Sequence, residues 1–211
     1  APMIRRHALR LAGLALGGCS VLPDRPYQES RRYALAPRRP QRNPPRGRGG
    51  PVLLVRSLRA APGLDQRGLR SIGAEGQVSL AYWDEWAAPP ADAAEAALRG
   101  WMADSGIFAA VVASGSRLSG DVVIEAELVR LEAVPTQGVA RAALSVLALS
   151  DAARDLVGQA RILAQVLAEG SAPLAGDSPA AMAAAMEAAL GEALASLERS
   201  LRPTLASSRR R

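Results

Sequence analysis

The chain has 211 residues, enough for one domain with tails. Its 49% hydrophobic content with only 3% aromatics calls for a core of alanine, leucine and valine. All 26 basic residues are arginine, yet residues 49–208 hold 12 of them against 18 acids, so the formal charge of +6 belongs to the ends of the chain; an acidic domain lacks the shaped positive surface that nucleic-acid binding needs, and one cysteine excludes an intrachain disulfide.

Met3-Ile4-Arg5-Arg6-His7 reads as a basic start, followed by the short apolar run Ala8–Leu16, which Arg10 interrupts. This run is far below the ~20 residues of a spanning helix and has the form of a signal-peptide core. Leu16-Gly17-Gly18-Cys19 resembles a lipobox, the signature of bacterial lipoprotein signal peptides. The resemblance implies diacylation of the Cys19 thiol, cleavage between Gly18 and Cys19, and acylation of the new amino terminus. Two or more chains of palmitate type give stable anchoring, at ~0.8 kcal/mol per buried CH₂. Ser20 after the cysteine resembles lipoproteins sorted to the outer membrane.

The expected organisation is a signal peptide over 1–18 and a lipid-anchored tether over 19–50. A folded domain would follow over 51–203, then a disordered basic tail over 204–211. The tether is rich in Pro, Arg and Gly, including Arg38, Arg39, Arg42, Arg46 and Arg48, a composition that buries too little apolar area to fold. Inside it, 32–35 forms a short strand-like island.

Within the domain, Val52–Leu58 is a strand candidate ended by Ala60-Ala61-Pro62-Gly63, and Gln77–Trp83 a second, with Val78, Leu80 and Tyr82 on one face. After Pro89-Pro90, Asp92 and Glu95 have the spacing of a capping box, and Ala94, Ala97, Leu98, Trp101 and Met102 form a helical stripe ended by Gly106. Ile107–Val112 returns to strand. Asp121–Glu132 alternates, with a change of phase near Leu128 or Val129 that predicts a bulge. Val139–Leu149 and Gly158–Ala168 complete a three-strand meander, the latter with helix as its competitor. Its inner face would carry Ile162, Ala164 and Val166. Ser178 caps a last helix that begins at Pro179 and that Pro203 should stop. Its stripe is Met182, Met186, Leu190, Leu194, Leu197 and Leu201. The pattern predicts an α+β fold, a mostly antiparallel sheet covered by two amphipathic helices.

Chemistry is sparse. The only histidine, His7, lies in the expected signal peptide, so a mature domain starting at Cys19 has no Ser–His–Asp triad, Cys–His pair or typical zinc site. Neither a metal nor a cofactor is expected. Asp84 and Glu85 point to opposite faces of a strand. Glu125 and Glu127 share a face, which reads more simply as a solvated strand face than as an acid–base pair. Tyr82, Trp83, Trp86, Pro89 and Pro90 form the densest aromatic segment and are the candidate contact for a partner or a lipid, with core bulk as the plainer reading of Trp86.

The order of these pieces, from the lipobox through Tyr33-Ala34-Leu35, Val52–Val55, Tyr82 and Trp86–Pro90 to the terminal helix, resembles the ABC-type transport auxiliary lipoproteins. These are accessory lipoproteins of Pqi- and Mla-like intermembrane lipid transport systems. The resemblance implies a non-enzymatic periplasmic adaptor, anchored at the outer membrane. It would work beside an MCE-domain protein and an ABC permease and ATPase, and it leaves room for a homo-oligomer. Two other classes stay open: a module that itself holds an acyl chain between sheet and last helix, and an envelope hydrolase using Glu125 and Glu127.

Overall fold

A computed structural model describes residues 28–47, 49–150 and 161–208, without the side chains of 207 and 208. Eight strands form one mixed sheet: β1 (Arg31–Tyr33), β2 (Val52–Ala60), β3 (Gly68–Ile72), β4 (Val78–Trp86), β5 (Ala110–Ala113), β6 (Val122–Val134), β7 (Val139–Ser150) and β8 (Arg161–Pro173). The helices are α1 (Pro90–Asp104) and α2 (Pro179–Ser208). The fold class is α+β, and the long ladders are antiparallel, β6 with β7 and β7 with β8.

β6 organises the sheet. One of its edges carries β2 in parallel over its first half and touches β3 near its end, while the other carries β7. Beyond β2 lies β5; beyond β3 lies β4, whose far edge takes β1 in parallel. The bulge expected near Leu128 is present, as the β6–β7 register shifts between Leu128 and Arg130. Burial changes phase there, from Ile124, Ala126 and Leu128 to Leu131 and Ala133. The two phases keep apolar side chains inward while the strand bends.

The helices lie on one face of the sheet. α1 covers β2 and β5, and α2 covers β8, β7 and part of β6. Ala94, Leu98 and Met102 of α1 are fully enclosed, as are Met186, Leu190, Leu194, Leu197 and Leu201 of α2. Met182 of the expected stripe is only partly buried. Ser178 caps α2, its Oγ accepting from the Ala181 N–H at 3.2 Å. By length and composition α2 could cross a membrane, but its apolar stripe is spent on the sheet. The helix meets β8 closely: a Cβ on Gly170 would lie 2.2 Å from the Ala189 carbonyl oxygen.

Several expectations are corrected. Pro203 does not stop α2, which continues to Ser208. Proline removes one backbone donor, but burial of Leu205 keeps the following turn on the core, so 204–208 belong to the helix rather than to a tail. Asp92 and Glu95 form no capping box. Pro89 is the N-cap without a side-chain bond, and Glu95 accepts instead from the Leu58 N–H at 3.2 Å. The strand expected over Gly158–Ala168 is indeed a strand, but runs on to Pro173; residues 158–160 lie outside the described part. Its inner face holds Ala164, Val166, Ala168 and Ala172, whereas Ile162 is 64% exposed. The register shift between Ala148 and Leu149 turns Ile162 outward. Val78, Leu80 and Tyr82 share one face of β4 as expected, and that face is exposed. β3, with Arg70 at its centre, has no counterpart in the sequence reading.

Candidate functional site

The lipobox residues Leu16, Gly17, Gly18 and Cys19 lie outside the described residues. The described chain leads through residues 28–30 into β1, and how it is fastened there defines the site.

Residues 31–46, expected within a tether, are bound along the domain. β1 pairs with the end of β4, Arg31 opposite Asp84 and Tyr33 opposite Trp86. Asp84 is 6% exposed. It accepts from the Tyr33 hydroxyl at 2.9 Å and from two guanidinium nitrogens of Arg31, at 2.8 and 2.9 Å. Burial raises the pKa of the Tyr33 phenol, and the hydrogen bond it donates to Asp84 raises it further.

Leu35 then enters the core, and Arg39 reaches α2. Its Nε donates to Glu198 Oε2 at 2.9 Å and its Nη2 to Oε1 at 3.2 Å. Trp101 of α1 donates its indole N–H to Glu198 Oε2 at 2.9 Å, and Arg202 completes the set from one turn along α2. Burial pushes the Glu198 pKa up. Hydrogen bonds from Arg39, Arg202 and Trp101, with the charge of Arg39, outweigh it and leave the carboxyl below its usual value. The segment continues to the end of α1. Asn43 bonds to the carbonyls of Asp104 and Ser105, Arg42 pairs with Asp104 at 2.9 Å, and the Arg46 N–H reaches the Phe108 carbonyl. Gly106 permits this approach: its φ is +70°, and a Cβ there would stand 2.9 Å from Asn43. Shallow grooves of about 360 and 390 Å³ flank the segment where it passes Trp101.

The aromatic segment splits in two. Trp86 and Pro90 are buried, Trp86 at 2% exposure, so neither is available as a contact. Pro89 is exposed. Tyr82 is 82% and Trp83 40% exposed, and their rings meet edge to face with centroids 4.7 Å apart. With Val78 and Leu80 they make an apolar strip on both faces of β4. β3 holds one edge of that strip; among the described residues no strand holds the other, because β1 reaches only Asp84–Trp86.

Glu125 and Glu127 lie on an open face of the sheet in a groove shared with Arg56 and Arg59. Arg56 pairs with Glu125 at 2.7 Å, the arrangement of a solvated strand face. Among the described residues no group of three or more His, Cys, Asp or Glu side chains could hold a metal ion.

The Arg39–Glu198–Trp101 cluster was not foreseen. One local sign existed: Glu198 falls between Leu194 and Leu201 at helical spacing, on the buried face of α2.

Comparison with known proteins gives a family and a fold. A family model described as ABC-type transport auxiliary lipoprotein component matches residues 33–197. Among solved structures, that of a Xanthomonas campestris protein assigned to the DUF330 family model superposes with a TM-score of 0.71 at 23% identity, covering 86% of this chain and 100% of that one. A second, described as an uncharacterized protein, superposes with a TM-score of 0.58 at 14% identity, covering 79% and 99%. At these identities the likeness is one of fold. No curated protein matches the chain with significance.

Proposed function

We propose, for a chain that belongs to the family of ABC-type transport auxiliary lipoprotein components, the role of an anchored periplasmic adaptor in an MCE-associated lipid transport system. The family is one of transport auxiliaries rather than of enzymes, and as a lipoprotein family it implies membrane anchoring in the cell envelope. The finer reading is ours. Cys19 carries the acyl chains after cleavage at Gly18, the outer membrane receives them, and the domain docks an MCE-domain protein served by an ABC permease and ATPase.

The observation that carries an adaptor rather than a lipid carrier is the filled interior. The space between sheet and α2, where an acyl chain would lie, is taken by Met186, Leu190, Leu194 and Leu197 at 0% exposure. Backbone approaches backbone at Gly170, and a carrier needs a cavity of several hundred Å³ there. The hydrolase reading has only Glu125 and Glu127 to rest on, and their groove is an ion-paired surface.

The test is co-isolation from envelope membranes in mild detergent. Recovery of a permease, an ATPase and an MCE-domain protein with the tagged chain is expected. Recovery of the permease and ATPase without any MCE-domain protein would leave the family role and remove the lipid-transport one.

A further inference from the structure

We infer that the strip Val78, Leu80, Tyr82 and Trp83 is a docking surface for the bilayer that holds the Cys19 anchor. The inference rests on anchoring at Cys19 but adds to it: the domain lies against the membrane along this edge of the sheet.

Three observations carry it. Val78, Leu80 and Tyr82 on one face of β4 and Trp83 on the other are exposed by 40–82%, with the Tyr82 and Trp83 rings in contact, and a contiguous exposed apolar strip marks an interaction surface. Its chemistry suits an interface of headgroup and hydrocarbon. Tyr and Trp present an apolar ring with a polar tip, and beside them the side chains of Arg31 and Arg32 are 63% and 61% exposed.

The path of the chain selects the occupant. β1 runs parallel to β4 with Arg31 opposite Asp84, so the residues before Arg31 arrive at the Trp83 end of the strip. Only eight residues lie between Cys19 and Gln28, and the nine steps from one to the other reach at most about 30 Å fully extended. A bilayer that held Cys19 would always lie within that distance of Gln28, three residues before the Arg31–Asp84 pairing that adjoins the Trp83 end of the strip. Such a tether also raises the effective concentration of the surface, so a strip too small to bind vesicles from solution suffices once anchored.

The protein carries its own probe. Of its three tryptophans, Trp83 is exposed, while Trp86 and Trp101 are buried at 2% and 5%. The experiment couples the single cysteine of the full chain to a maleimide-headgroup phospholipid. The vesicles are phosphatidylethanolamine and phosphatidylglycerol with brominated acyl chains. This fixes the attachment point whether or not cells acylate it, and palmitate labelling of Cys19 in cells reports separately on anchoring. The Trp83 emission is the difference between wild type and Trp83→Phe. Most of it should be lost to bromine quenching, and restored in a Leu80→Ser/Tyr82→Ser variant whose circular dichroism is unchanged. Full Trp83 emission on vesicles that carry the coupled chain overturns the inference. So does a blue shift without lipid that grows with protein concentration, which gives the strip to a second copy. Trp83 emission that stays unquenched on the vesicles and shifts to the blue only when the transport partners are added gives the strip to a protein, and overturns the inference as well.

Discussion

Arg39 and Glu198, 159 residues apart in sequence, are joined by two hydrogen bonds between guanidinium and carboxylate. The contact fastens the entering chain to the terminal helix, and the indole of Trp101 brings in the other helix at the same carboxylate. One buried acid thus holds together three parts of the chain that the sheet alone would not join.

Glu198→Ala should therefore destabilise the domain by about 3–5 kcal/mol, since Arg39 is left largely buried without its counter-charge. Arg39→Ala should cost less, about 1.5–3 kcal/mol, because Arg202 and Trp101 still serve the carboxylate. Urea unfolding of both variants measures this. Equal losses would contradict the hub.

The same residue sets an acid limit. The Glu198 pKa is depressed in the folded state, so the unfolded chain takes up its proton first as pH falls. The contribution of Glu198 should be complete above the ordinary value of 4.5 and be lost as pH drops below it toward the folded-state pKa. Glu198→Gln should flatten that part of the stability profile. Tyr33 acts in the opposite direction: its raised pKa contributes stability present below 10, lost as pH rises through the folded-state value.

Two glycines should respond with opposite signs. Gly170→Ala drives a Cβ to 2.2 and 2.3 Å from backbone atoms of α2, which must move, at about 1–3 kcal/mol. Gly191→Ala meets Pro37 at an ordinary 3.5 Å and gains helix propensity, up to about 1 kcal/mol. Thermal unfolding should show Gly170→Ala below and Gly191→Ala above the wild type.

Iodide should quench one tryptophan in the free protein. Trp83 is accessible and Trp86 and Trp101 are not, so Trp83→Phe should make the emission nearly insensitive to iodide. Continued strong quenching in that variant would place Trp86 or Trp101 at the surface.

What could be read from the sequence followed from periodicity. The stripes of α1 and α2, the three long strands of the meander and the bulge at Leu128 all show as repeats or phase changes, because each buries one face along its whole length. What could not be read depends on distant partners. Residues 36–46 carry proline and arginine and bury little of their own, so their composition resembles a tether. They are held by Glu198, Asp104, Ser105 and Phe108. β3 is short and buries fully only Leu69, too little for a period to register. Pro203 is a true local stop signal, overridden by burial of Leu205. At the site, Tyr82 and Trp83 were singled out with Trp86 and Pro90. Strand alternation alone could not divide them, since the point where β1 begins its pairing, Arg31 opposite Asp84, decides which part of β4 stays uncovered among the described residues.

The central claim is that this domain works tied to a membrane by its one cysteine. Intact-mass spectrometry with fragmentation, on the chain purified from bacterial envelope membranes, tests it most directly. A chain beginning at Cys19 is expected, with two acyl chains carried on its thiol and one on its amino nitrogen. A chain that retains residues 1–18 and a free Cys19 thiol would contradict it.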